Sequence, residues 1–308
     1  QFRQVRILEF PDYAQFAQSF ANTIPYSEGI GFIADYRDPE KIDMVTYITA
    51  HEVGHQWWGH QLISSDQQGG TFLVESLAQY SALMVMERKY GPDQIRKFLK
   101  FELDKYLRYR GGEKLEELPL ARVENQPYIH YRKGSLVMYA LQDYLGEDNL
   151  NRAIHAFRDA WAFKGPPYPT TLDFERRVRD VTPPRYARTV EDLLESIVLY
   201  ENRAASATAK ALPDGRWEVK VDVLAKKLRA DELGREAEAP MDDWIDVGVL
   251  DADGGAIVVE KKHVESTSAS YTFVVDRKPA RAGIDPFNKL IDRRPKDNTM
   301  PVSIEPSG

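Results

Sequence analysis

His51-Glu52-Val53-Gly54-His55, with Glu75 after a short interval, sets the reading of this chain. Two imidazoles four residues apart on a helix project from one face, and a carboxylate from a following helix can meet them at one point. That supplies three protein ligands and leaves a fourth position open, the arrangement of a catalytic rather than a structural zinc site. Zinc-bound water loses its proton near neutral pH, and Glu52 stands beside His51 where it can take that proton as general base. The motif therefore points to a zinc hydrolase, with peptide bonds as the expected substrate. The chain has six histidines, and three of them (His51, His55 and His60) fall within ten residues. A chance His-Glu-x-x-His in such a composition has odds of about one in a hundred.

The surroundings suit the motif. Residues 39–60 carry Ile42, Val45, Ile48 and Val53 at helical spacing before Trp57-Trp58, so the spacing predicts a helix through both histidines. A second predicted helix, 71–90, carries Glu75, Leu77, Tyr80, Leu83 and Met86. Further helices are expected at 92–109, 130–146, 148–162, 171–180 and 190–199. Gly91-Pro92, Gly111-Gly112, Gly146 and Gly165-Pro166-Pro167 punctuate them. Before the motif, residues 1–37 read as strands: Val5 and Ile7 alternate, and Ile30-Gly31-Phe32-Ile33 follows a turn-prone Pro25-Tyr26-Ser27-Glu28-Gly29. Beyond Glu201 short alternating segments such as Trp217–Val221 and Tyr271–Val275 predict a small antiparallel β-sandwich. The Ala204–Ala209 run is either the junction or the first strand of that sandwich. The expected fold is α+β, with a mainly helical domain at 1–200 and a β-sandwich domain at 201–308.

Composition narrows the partners. A hydrophobic share of 43% with 29% charged residues, over 308 residues, is that of an ordinary globular protein with room for two cores. A net charge of -7 without a basic stripe argues against nucleic acid. No apolar run is long enough to span a bilayer, so no membrane contact is expected from this segment itself. With no cysteine, disulfides and thiolate zinc cages are excluded, which leaves His and carboxylate as the strong ligands. The first residue is Gln1, without initiator Met, signal peptide or basic leader, and the expectation is a piece of a longer polypeptide.

His51-Glu52-Val53-Gly54-His55-Gln56-Trp57-Trp58-Gly59, then Glu75 opening a helix, then Tyr131-Arg132-Lys133-Gly134, together resemble the aminopeptidase-N family of zinc metallopeptidases. That family belongs to the gluzincin clan and has a thermolysin-like catalytic domain; the resemblance runs from about Pro25 to Leu199. It implies one Zn2+ per chain on His51, His55 and Glu75, Glu52 as general base, and a peptide substrate. It also implies that Tyr131, at the tyrosine of the family's Tyr-x-Lys-Gly motif, donates a hydrogen bond to the oxyanion. Taken by itself, Tyr131 reads rather as a packed aromatic beside Tyr128.

Two departures from the family pattern stand out. Nineteen residues separate His55 from Glu75, one more than in most members, and the loop 59–70 is the expected place for the extra one. The family's Gly-x-Met-Glu-Asn strand, whose glutamate binds the substrate's free amine, is replaced by Tyr26-Ser27-Glu28-Gly29-Ile30-Gly31. Glu28 either pairs with that ammonium or is a solvated turn residue. Gly29 and Gly31 would let a peptide backbone add to an edge strand. An endopeptidase on the same chemistry, or a low-activity regulatory module, is the alternative. The stretch Ala78–Met86 further resembles a bacterial subgroup fused to ABC-transporter permease segments, which implies a parent protein at a membrane. Of the other histidines, His60 is expected to cap the helix or face solvent, and His130 is given no catalytic task.

Overall fold

The structure is a computed structural model and describes residues 3–35, 37–38 and 41–306. The expectations placed on Gln1, Phe2, Tyr36, Pro39 and Glu40 lie outside these. Helix and sheet are both present, in two compact units, Gln1–Glu195 and Ser196–Gly308.

The first unit opens with strands β1 (Arg6–Phe10) and β2 (Thr23–Ser27), paired in parallel, followed by a single helical turn, α1 (Glu28–Gly31). This corrects the expected strand at Ile30-Gly31-Phe32-Ile33 and the turn expected at Pro25–Gly29, whose first three residues belong to β2. The Phe32 and Ile33 N–H groups close helical bonds onto the Glu28 carbonyl, and these glycines are buttressed by their neighbours. A Cβ on Gly29 would lie 2.3 Å from the Asp12 carboxylate, and one on Gly31 2.4 Å from the Tyr26 ring.

Helix α2 (Met44–Gly54) carries His51 and Glu52, and His55 follows its end. It starts where Asp43 caps it, accepting the Thr46 N–H at 2.9 Å, while Lys89 and the Tyr90 hydroxyl bind the same carboxylate. It ends six residues earlier than the apolar spacing predicts. The Gly54 carbonyl takes the N–H of both Trp57 and Trp58, and the chain turns there so that the Trp58 indole can reach Ser81 Oγ at 3.1 Å. Helices α3 (Leu77–Tyr90), α4 (Pro92–Arg110), α5 (Gly134–Leu145), α6 (Glu147–Trp161), α7 (Thr171–Val181) and α8 (Ala187–Glu195) follow. On α6, Leu150, Ala153, Ile154 and Phe157 are buried, a stripe at helical spacing that joins Phe72 and Phe174 in the core. Two of the predicted helices begin with π turns, Phe72–Ser76 before α3 and Tyr128–Lys133 before α5.

In the second unit, β3 (Ile197–Tyr200), β6 (Lys227–Ala230) and β7 (Glu236–Ala239) form a small antiparallel sheet. The helix expected through 199 therefore stops at Glu195. Ile197-Val198-Leu199-Tyr200 is β-branched or aromatic at three of four positions and pairs with β6 instead. The Ala204–Ala209 run lies inside β4 (Arg203–Ala211). With β5 (Trp217–Leu224), β10 (Ser268–Val275) and β13 (Ser303–Ile304) it makes one four-stranded sheet. The other contains β8 (Asp243–Leu250), β9 (Ala256–Val264), β11 (Arg281–Ile284) and β12 (Thr299–Pro301). Alternate residues of both, among them Val219, Val221, Val247, Val249 and Ile284, share one apolar core. All pairings in these two sheets are antiparallel except β13 on β4, which is parallel.

Candidate metal centre

Three ligand atoms converge in the first unit. His51 Nε2 and His55 Nε2 each stand 3.3 Å from the same oxygen, Glu75 Oε2. The imidazole rings are nearly perpendicular, with centroids 4.5 Å apart. The geometry asks for a cation. His55 Nδ1 lies 3.0 Å from the Trp58 carbonyl, which holds the proton on Nδ1 and turns the Nε2 lone pair toward Glu75. Glu75 Oε2 is itself buried and accepts no hydrogen bond. Acceptors facing one another in a buried site are stable only around a positive charge. The spacing agrees with zinc: bonds of roughly 2.0–2.2 Å at tetrahedral angles place ligand atoms about 3.4 Å apart. His51, His55 and Glu75 thus fit the metal.

The local fold builds this arrangement. His51 is in the last turn of α2 and His55 follows its end, which places both rings over Glu75 on the facing π turn. Gly54 allows the approach, since a Cβ there would meet the Ala78 backbone at 3.3 Å. A π turn carries an extra residue within a helix. The structure has one at Phe72–Ser76, around Glu75 itself, whereas the sequence pattern suggested the loop before it. The second π turn presents Tyr131, whose ring lies 5.8 Å from that of His51. The two turns are joined directly: Ser76 Oγ donates to the His130 carbonyl at 2.6 Å, and a Cβ on Gly134 would collide with Ser76 Oγ. On the outer side, Arg132 holds both oxygens of the buried Glu102 at 3.0 and 3.2 Å, clamping the π turn to α4.

Electrostatics separate the roles. Burial pushes the Glu52 carboxyl above its ordinary range, against the pull of His51 and His55. Burial acts on Glu75 too, but hydrogen bonds and charge from His51 and His55, when these rings are protonated, outweigh it and hold this carboxyl well below the usual range. Tyr131 is pushed well above the ordinary phenol value by burial and by Glu75, so it remains a donor at neutral pH. His130, buried with its ring 4.3 Å from Tyr131, is pushed down to about 4 by burial and stays neutral. A polar cleft of about 590 Å³ shares Val74 and Glu75 with the centre and is walled by Ser64, Asp66, Gln67, Thr71, Glu124 and Asn125.

The structure thus brings His51, His55, Glu75, Glu52 and Tyr131 together. Glu28 heads α1, and its carboxylate accepts the Asp12 N–H at 2.9 Å. The open faces of Gly29 and Gly31 are filled by Asp12 and Tyr26. His60, expected as a cap or a solvated residue, bonds the Ser19 carbonyl at 3.1 Å. Sequence reading also missed Asp43, which could have been found as an N-cap three residues before Thr46, and the Trp58 carbonyl, which carries no side-chain signal.

A family model described as peptidase family M1 domain matches residues 2–166. The chain belongs to peptidase family M1. Among curated M1-like proteins, human endoplasmic reticulum aminopeptidase 2 is 26% identical over 166 residues. That match covers 51% of this chain but 17% of the human protein, so the chain spans well under a quarter of that relative's length. Two crystal structures of an M1 zinc metallopeptidase from Deinococcus radiodurans also resemble it, one of them bound to a Tyr-Ser-Ala substrate. They give TM-scores of 0.45 and 0.47 at 19% and 18% identity, covering 62% of this chain and 39% of that one.

Proposed function

We propose that this M1 chain is a zinc-dependent aminopeptidase with a thermolysin-like catalytic unit. The observation that carries the reading is the convergence of His51, His55 and Glu75 on one point, with Glu52 and Tyr131 beside it. Zinc, when bound there, supplies Lewis acidity that polarises a carbonyl and acidifies water. Glu52, its carboxyl raised by burial, accepts the proton of the attacking water and passes it to the leaving amine. Tyr131 donates its phenol O–H as negative charge builds on the former carbonyl oxygen. Glu28 is proposed to pair with the substrate's α-ammonium, beside Gly29 and Gly31, whose missing side chains leave room for Asp12 and Tyr26.

A zinc endopeptidase is the second reading, favoured by one observation: the Glu28 carboxylate is already engaged by the Asp12 N–H. Hydrolysis of matched free-amine and N-acetylated peptides separates the two. An aminopeptidase cleaves only the free-amine set and loses that activity in Glu28→Gln. Cleavage of the acetylated set would assign the endopeptidase. Attachment to permease segments rests on the Ala78–Met86 stretch alone; among the described residues no helix is long and apolar enough to cross a membrane.

A further inference from the structure

An exposed strand edge beside a hydrolytic centre is where an extended peptide is expected to pair. In this chain that edge is filled from within. One side of β2 pairs with β1, with Ile7 opposite Ile24 and Glu9 opposite Tyr26. Along its other side runs the segment Phe16–Asn22. The Ser27 N–H donates to the Phe16 carbonyl at 3.1 Å, and the Gln18 N–H donates to the Pro25 carbonyl at 3.1 Å. Phe20 and Thr23 exchange N–H to carbonyl bonds of 2.8 and 3.1 Å. These are the backbone groups of β2 that a substrate strand would need.

The segment also reaches the machinery. The buried Gln56 follows directly on His55, and its amide donates to Ser19 Oγ at 2.6 Å and to the Phe20 carbonyl at 3.0 Å. Its carbonyl oxygen accepts the Asn22 N–H at 2.8 Å, and His60 bonds the Ser19 carbonyl from the turn beyond. The Ser19 N–H faces the Glu52 carboxylate. Phe16 and Phe20, by contrast, stay about half exposed, so the segment is held by polar groups rather than by a buried apolar face. A strip attached in this way can exchange with another backbone that offers the same donors and acceptors.

We propose that Phe16–Asn22 is a self-bound strap occupying the peptide-binding edge of β2, which a substrate displaces on entering the cleft. This rests on the peptidase reading of the site. It implies that apparent affinity is reduced by the fraction of molecules with the strap docked, and that loosening the strap improves KM.

The test is hydrogen exchange by mass spectrometry on the zinc-loaded chain, alone and with a peptide hydroxamate that grips the metal. Exchange of amides in 16–22 should rise about tenfold or more on binding, with β1 and α2 unchanged. Protection that stays or grows while the hydroxamate is bound would overturn the proposal. Gln18→Pro, which deletes the donor to Pro25, gives an independent arm. It should lower KM for a tripeptide about fivefold at unchanged zinc content, and an unchanged or higher KM would count against the strap. If wild type cleaves peptides but the strap stays protected, only the strap is wrong. If neither form binds the hydroxamate or any peptide, the peptidase reading fails and takes the strap with it.

Discussion

A carboxylate that takes a proton from water and returns it to an amine needs a pKa closer to neutrality than a solvated glutamate has. Glu52, proposed for that role, is shifted in that direction by burial, 6% exposed at the end of α2 beside the two imidazoles. Glu52→Gln should lower kcat by about 10²–10⁴ while zinc content, read by atomic absorption, stays at the wild-type level. Tyr131→Phe removes only a donor; on the order of a hundredfold or more in kcat should go, with KM much less changed. Tenfold or smaller losses would return Tyr131 to the role of a packed aromatic. At this scale the convergence of His51, His55 and Glu75 was legible, because it is written in residue type and spacing. The orienting Trp58 carbonyl and the Ser76 bridge were not, since both depend on backbone atoms or on partners more than fifty residues away.

Among elements, the turn joints decide how well those residues are aimed. Asp43 fixes the start of α2 and holds Lys89 and Tyr90 from the end of α3, so one carboxylate ties α2, which carries His51, to α3, which follows the π turn of Glu75. Burial works to raise its pKa, but bonds from Thr46, Tyr90 and Lys89 prevail and hold it well below the usual range. A depressed carboxylate stabilises the fold above its unfolded pKa of roughly 3.9 and ceases to do so as pH falls through the folded value. Asp43→Ala should therefore cost about 1 kcal/mol or more in urea denaturation at neutral pH, with the difference from wild type shrinking in acid.

Glu102 has the opposite sign. Burial lifts it to about 7 despite Arg132, so folding favours its protonated form, and its contribution falls as pH rises from the ordinary glutamate range toward 7. Glu102→Gln should flatten that part of the pH–Tm curve, and an unchanged slope would show that Arg132 keeps Glu102 ionised throughout. Helix periodicity located the elements around His51, Glu75 and Tyr131. It misplaced α1, because Ile30-Gly31-Phe32-Ile33 alternates like a strand while Asp12, distant in sequence, packs against Gly29 and the Tyr26 ring against Gly31. It also could not show the π turns, which differ from α-helix by one residue per turn and leave the apolar pattern almost unchanged.

In the whole molecule, one metal is proposed for the first unit and none for the second. A second group of ligating side chains exists, Asp242, His263 and Glu265, but all three are exposed. His263 spreads its two nitrogens between the carboxylates, at 2.6 Å to Asp242 and 3.7 Å to Glu265, rather than turning one toward a shared point. Zinc stoichiometry should be one per chain, unchanged in His263→Ala and lost in His51→Ala. Because metal binds the native state alone, chelation should lower the melting transition of the first unit and leave the β-rich unit's transition in place. The mixed helix and sheet composition was readable from the change of period near residue 200. The parallel pairing of β13 on β4 was not, since a two-residue strand at the end of the chain carries no periodicity.

The proposed hydrolysis of peptides by this M1 chain, with Glu52 on zinc held by His51, His55 and Glu75, is tested most directly by one assay. Zinc-loaded wild type and Glu52→Gln are given the same panel of free-amine and N-acetylated peptides, with bound zinc measured in both. Cleavage of the free-amine peptides by wild type, abolished in a variant that still holds one zinc, is the predicted result. Equal turnover by both proteins, or no turnover by a fully zinc-loaded wild type, would contradict it.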